Sequence, residues 1–237
     1  DIARKLTLDP STGTEVSWNL TLANEGTSDE EVVLVVTPVQ MMEYGGALQP
    51  PEDDWEKVTS ADGPFSLTSD EGVANSTEVT VTLRDLDADL DAFNGARYAL
   101  PGTYVVDVIA YYRMNPTVSH TIRLEVEVLR VEGLETILAG TNNLGAVPGD
   151  FASFSLSVLN TGNGDTVYQI SCETPNRWSI ELGTGNSSTL SLEPLARLQF
   201  IPVPVRVRVP YIVNGLPSAG TVEDVTCVTS SLADPSK

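Results

Sequence analysis

The feature that most constrains this chain is a strict alternation of apolar and polar residues that starts, breaks at a turn and starts again from one end to the other. In "EVSWNLTLA" (Glu15–Ala23) and "FSLSVLN" (Phe154–Asn160) every second side chain is apolar. That period of two puts one face of an extended strand in a core and the other in water. Gly, Asn, Asp and Pro clusters separate the runs, and no long segment carries a helical stripe. The chain is therefore expected to be all-β.

The first half yields candidate strands at Ile2–Leu8, Glu15–Ala23, Glu31–Val39, Trp55–Thr59, Thr77–Leu83, Gly102–Tyr112 and Ser119–Val131. The second half repeats the order at Thr136–Leu138, Phe151–Leu159, Thr166–Glu173, Trp178–Leu182, Ser188–Leu192, Gln199–Val209 and Gly220–Ser230. Short phrases repeat too. Asn24-Glu25-Gly26 and Asn160-Thr161-Gly162 each follow an alternating strand, where positive φ at a hairpin connection would explain Asn and Gly. About seven strands per half, over 237 residues, predict two tandem immunoglobulin-like antiparallel β-sandwiches, at 1–131 and 132–237.

Two departures mark the first sandwich, at Gln40–Ala61 and Arg84–Pro101. Long insertions of this kind are either contact surfaces or loops folded over their own sandwich end. The second sandwich shows no counterpart to Ser119–Val131 after Gly220–Ser230, so it is expected to lack its last strand. Such an edge belongs to a segment cut short before its last strand, or to a sandwich whose final strand is absorbed elsewhere, or it is completed by a neighbouring subunit, with Asp1–Leu8 as the candidate donor.

A net charge of −20, from 33 acidic and 13 basic side chains, repels phosphate backbones and anionic lipid surfaces, which excludes nucleic acid and membrane contact as expected partners. No apolar run is long enough to span a bilayer, and Asp1–Lys5 carries no signal-peptide core. The two cysteines, Cys172 and Cys227, fall in strands that neighbour one another in such a sandwich. They read as one cross-strand disulfide or as two buried thiols. Sequons at Asn19, Asn75 and Asn186 are candidate glycosylation sites and point, like the cysteines, to an extracellular location.

Catalytic signals are few. His120 is the only histidine and no nucleophile motif stands beside it, so triads and histidine-based zinc sites are excluded. Asp85, Asp87, Asp89 and Asp91 place four carboxylates at alternate positions, which suits either a solvated acidic turn or a calcium site. Leu90 and Ala96 stand where an EF-hand needs glycine and an acid, so the run is not an EF-hand. Apart from that calcium, no cofactor is expected.

The phrase from Pro148 to Pro210 resembles the NPCBM-associated and CARDB-like immunoglobulin-like domains of bacterial and archaeal surface proteins. It has Pro148-Gly149 before an alternating strand, Asn160 to Asn163 after it, Trp178 before a short strand, and a long strand ending in Val209-Pro210. The resemblance implies a non-enzymatic spacer, surface-layer or filament segment that associates with itself or with other surface proteins, and it carries no catalytic residue across. The competing reading is a carbohydrate-binding accessory module, which requires Tyr44, Trp55 and Tyr112 to form one exposed patch.

Overall fold

The computed structural model describes residues 4–51, 55–61, 63–69, 75–86, 99–213 and 217–236. Among them there are seventeen strands and no helix. The chain divides into two compact units after Val131.

In the first unit, β2 (Glu15–Ala23), β8 (Ser76–Asp85) and β6 (Trp55–Thr59) form one sheet in the order β2-β8-β6. The facing sheet runs β1 (Lys5–Leu8), β10 (Asn115–Val128), β9 (Gly102–Tyr112), β3 (Glu30–Val36), β7 (Phe65–Leu67). Alternation decides what each strand buries: Trp18 and Leu20 on β2, Val79, Val81 and Leu83 on β8, and Leu124, Val126 and Val128 on β10 are all sealed into the core. Sealing a side chain of this size contributes about 1.5–3 kcal/mol, an upper estimate because a real unfolded chain already hides part of it. The intervening Arg123, Glu125 and Glu127 face solvent.

The expected first insertion is not a loose loop. Gln40–Met42 (β4) pairs antiparallel with β9, continuing along the edge that β3 leaves, and Leu48–Pro51 (β5) folds back on β4. Pro38 ends β3 early, so Val39 is buried without belonging to a strand. Of the second insertion, residues 87–98 lie outside the described residues.

The second unit has sheets β11-β12-β16-β14 and β15-β13-β17, built from Leu134–Ala139, Phe151–Asn160, Phe200–Arg208 and Ser179–Leu182, and from Thr189–Ser191, Tyr168–Glu173 and Thr226–Ser231. Its topology repeats the first. In each unit the strand after the Asn corner (β3, β13) is followed, once β4 and β5 have intervened in the first unit, by one that joins the opposite sheet (β6, β14), then by one that returns beside it (β7, β15), then by the long central strand β8 or β16. The expected strand Gly220–Ser230 shortens to Thr226–Ser231, because Ser218 and Thr221 form a turn and the Glu223 carboxylate is drawn off to the backbone N–H and side-chain amide of Asn176.

The two Asn corners carry more than turn geometry. Asn160 is fully buried; its amide donates to Gly164 O and Leu195 O at 2.8 Å each, and its Oδ1 accepts from Gly162 N at 2.9 Å and stands 2.8 Å from the Tyr168 hydroxyl. Asn24 repeats the arrangement with Ser28 O, Leu67 O, Gly26 N and Tyr112. Gly26 does not sit at positive φ, so the expectation that φ explains this motif is corrected. The side chain of the Asn ties a loop to two strands, and the Gly leaves room beside it: a Cβ on Gly26 would stand 3.0 Å from Asn24 Oδ1.

Candidate functional site

Hydrogen-bond phase picks out one strand edge. In an antiparallel pair, alternate residues turn both backbone groups toward the partner, and the residues between turn theirs away. Leu232 N donates to Val167 O at 2.9 Å, which fixes the phase of β13 against β17. Val228 and Ser230 therefore bond to β13, while the N–H and C=O groups of Cys227, Thr229 and Ser231 point to the far edge. Among the described residues no strand pairs there.

The equivalent strand of the first unit, β9, is bonded on both sides, by β3 and β4 on one and β10 on the other. The second unit has seven strands among the described residues, β11 to β17, and none of them lies beyond β17; β15 pairs with the other side of β13. Among the described residues, no strand of the second unit occupies the place that β10 holds beside β9.

One side chain of β17 is buried without a partner. Thr229 is only partly buried, yet its Oγ1 is sealed from water and has no hydrogen-bond partner. In the other sheet, Phe154 is half-buried, and Leu138, on the same face of β11 as core-packed Leu134, is 37% exposed. In the first unit, β10 carries Leu124, Val126 and Val128 into the core.

Another open edge of the second unit is blunted, and β17 is not. Asn160 N donates to Gln199 O and Val209 N to Asp150 O, so odd-numbered residues of β16 bond to β12. Even-numbered residues of β16 turn to its other side, where Gly183 N donates to Pro204 O at 2.9 Å and Pro202 lies beyond the end of β14; proline there removes no bond to β12 and Pro202 offers no donor to an incoming strand. β17, reading Thr-Cys-Val-Thr-Ser-Ser, holds no proline and no charge.

Cys172 and Cys227 face each other in register at a non-hydrogen-bonded position, with Cα atoms 4.0 Å apart, and are joined by a disulfide. The bond clamps the edge strand to β13. Of the acidic run, Asp85 is buried and its carboxylate accepts from Ala99 N at 2.7 Å, whereas Asp87, Asp89 and Asp91 lie outside the described residues. Among the described residues no three His, Cys, Asp or Glu side chains gather as a metal site would need. Asn19 is exposed on the outer face of β2, Asn75 is half-buried before β8, and Asn186 is exposed between β14 and β15. His120 is exposed on β10.

The aromatic patch required by the carbohydrate-binding reading does not form. Tyr44 is fully exposed, but Trp55 is 4% exposed and packs on Tyr104 with ring centroids 5.0 Å apart. Tyr112 is half-buried against Asn24. Trp55 starts a strand on its inward phase, and the core takes it.

An open depression of about 470 Å³ lies where β13 and β14 approach, lined by residues including Glu173, Thr174, Arg177 and Trp178. Arg177 holds φ at 56°, fixed by its N–H to Thr174 O and by Trp178 N to Thr174 Oγ1.

No protein-family model matches the chain, and no curated protein matches it. Solved structures similar to it include a chain of the CsuC–CsuE chaperone–tip adhesion subunit complex from archaic chaperone-usher Csu pili of Acinetobacter baumannii, with 11% identity, coverage of 95% of this chain and 97% of that one, and a TM-score of 0.42. Protocadherin gammaB7 EC3-6 has 11% identity, 95% and 44% coverage and a TM-score of 0.37. Domains 4 and 5 of the surface-layer protein SbsC have 12%, 86% and 94%, and 0.31. Likenesses this distant carry no argument about activity or partner. The sheets themselves define the class, an all-β protein of two immunoglobulin-like sandwiches.

Proposed function

We propose that the chain is a non-enzymatic structural or adhesive segment of an extracellular surface protein, which associates with further copies through the edge of β17. The observation that carries this reading is the contrast between β9, bonded on both sides, and β17, bonded on one. An unpaired edge with neither proline nor charge is a template for strand addition. The disulfide supports an oxidising location outside the cytosol. Kinship with the NPCBM-associated and CARDB-like domains belongs to the same proposal, resting on Pro148-Gly149 opening the turn before β12 and Asn160–Asn163 closing it.

Of the candidate donor Asp1–Leu8, the described strand Lys5–Leu8 is already in use. Lys5–Leu8 pairs in parallel with Glu125–Val128 of its own unit and buries Leu8 in that core, so donating it would open the first sandwich.

Light scattering across a concentration series at raised salt tests the proposal, salt being needed because two copies of charge −20 repel. A mass rising above the 25.4 kDa protomer is expected. A protomer mass at every concentration overturns self-association. Occupied sequons would appear as added mass on peptides containing Asn19, Asn75 or Asn186.

A further inference from the structure

We propose that the depression where β13 and β14 approach binds a small organic carboxylate, with the Arg177 guanidinium holding the carboxylate and the floor taking an apolar body.

Backbone geometry singles out Arg177. Among the described residues two that are not glycine hold φ in the left-handed region, Leu198 at 60° and Arg177 at 56°. A side chain crowds its own backbone there, a cost that glycine avoids. Leu198 half-buries its side chain in return. The Arg177 side chain is exposed and, among the described residues, makes no ion pair and no hydrogen bond.

Neighbouring groups enforce the conformation. Arg177 N donates to Thr174 O at 3.0 Å and closes a turn with Pro175 at its second position. Trp178 N donates to Thr174 Oγ1 at 2.7 Å, and the Glu223 carboxylate accepts from both the backbone N–H and the side-chain amide of Asn176. These ties across residues 174–178 hold an arginine where the backbone alone would favour glycine. Strain kept in place by its surroundings in this way is characteristic of ligand sites.

The cavity beside the turn supplies the rest. Its volume of about 470 Å³ is of the size that small-molecule sites have. Alternation on β13 and β14 turns Cys172 and Ile180 inward, and with half-buried Trp178 they make the floor apolar. Buried Thr174 accepts the Trp178 N–H, which leaves its O–H to donate. Glu173 also borders the cavity, but on the outward phase of β13, and Glu223 is taken up by Asn176.

Arg177 is the one cation among the lining residues. One guanidinium and one hydroxyl match a singly charged, planar carboxylate, gripped through two parallel N–H···O bonds, better than a phosphate dianion. A chain of net charge −20 repels anions at a distance, so affinity rests on this one guanidinium and the apolar floor, and a dissociation constant on the order of millimolar is expected.

The probe is 3-phenylpropionate, with 3-phenylpropan-1-ol as its uncharged counterpart, added to the whole chain at a concentration where light scattering gives the protomer mass. Trp178 is the one tryptophan of the second unit, so its indole N–H resonance reports binding while those of Trp18 and Trp55 serve as the control. The acid is expected to shift the Trp178 signal saturably and the alcohol to bind at least tenfold more weakly. Arg177→Gly removes the guanidinium and relieves the backbone. It should unfold in urea at a midpoint no lower than the parent's, lose at least tenfold in affinity for the acid and keep its affinity for the alcohol. Arg177→Lys, which keeps the charge without the planar fork, should fall between the two.

Equal binding of acid and alcohol, undiminished binding of the acid by Arg177→Gly, or no saturable shift from the acid up to the limit of its solubility each overturns the proposal. Because the titration is made on the protomer, it stands or falls separately from self-association.

Discussion

Replacing Asn160 by alanine is expected to destabilise the second unit by about 4 kcal/mol, and the sum can be followed bond by bond. Two donated hydrogen bonds are lost, at about 1 kcal/mol each, because Gly164 O keeps the Thr166 hydroxyl and Leu195 O keeps Thr166 N. Gly162 N is different. It is buried, and its acceptor in the structure is Asn160 Oδ1, so it is left unsatisfied at a cost of about 1–3 kcal/mol. The Tyr168 hydroxyl retains Gly133 O at 2.6 Å and adds little.

The first unit supplies the control. Gly26 is exposed, so after Asn24→Ala its N–H turns to water, and two of the lost contacts are already long at 3.2 and 3.3 Å. A loss of about 1–2 kcal/mol follows there. Urea unfolding reads both, since Trp178 reports the second unit and Trp18 and Trp55 the first. With a slope of about 1–1.5 kcal/mol per molar urea, the Asn160 variant should lose roughly 3 M in midpoint. Equal losses at the two asparagines, or a loss below about 1 kcal/mol at Asn160, would refute the reasoning.

Three further outcomes are expected. Replacing Cys172 and Cys227 together by serine opens a loop closed over 55 residues and should cost about 4 kcal/mol in the loop-entropy account, read as a fall in the melting temperature of the second unit alone; an unchanged melting temperature contradicts it. Arg123→Ala should raise the Asp107 carboxyl toward its ordinary value, because the Arg123 hydrogen bonds at 2.9 and 3.0 Å now hold it low. A depressed carboxyl pKa stabilises above the unfolded value of about 3.9 and loses its contribution as pH falls through the folded one, so the variant and the parent should converge in stability below about pH 4. The exposed pair is worth less than about 1 kcal/mol, and an unchanged Asp107 titration by NMR would remove the assignment. Finally, Gly149→Ala places a Cβ 2.6 Å from the Tyr211 ring at φ of 93°; a loss of at least about 1–2 kcal/mol is expected, and a neutral effect in urea unfolding would mean that this turn relaxes freely.

Much of this architecture is legible in the residues because alternation of apolar and polar side chains has one physical cause, a strand with one wet face. β2, β9, β12 and β16 stand where the pattern puts them. The elements that the pattern missed are short. β4, β5 and β7 have three or four residues each, too few to establish a period, and are held by pairing to distant strands instead. The asparagine corners were visible as a repeated phrase, but their meaning was not: partners such as Leu67 and Leu195 lie 43 and 35 residues away, and only the fold brings them to the side chain.

The sequence pattern drew attention to the region after Gly220–Ser230, where it offers no counterpart to Ser119–Val131. Which backbone groups are free was not, because that depends on hydrogen-bond phase, and phase is set by the register of β13 against β17. The protective role of Pro202 and Pro204 was hidden for the same reason. In the sequence they are two prolines inside a long strand; the structure turns their nitrogens away from β12, with Pro204 O accepting from Gly183 N and Pro202 beyond the end of β14.

The most direct test of an open strand edge is amide hydrogen exchange along β17 in the dilute free protein, compared with β9. The account predicts alternation on β17, with Val228 and Ser230 protected and Cys227, Thr229 and Ser231 exchanging near the rate of an unstructured chain, while neighbouring residues of β9 are protected in both phases. Protection at all five positions of β17 in a dilute protomer would contradict it, since a strand would then already lie along that edge.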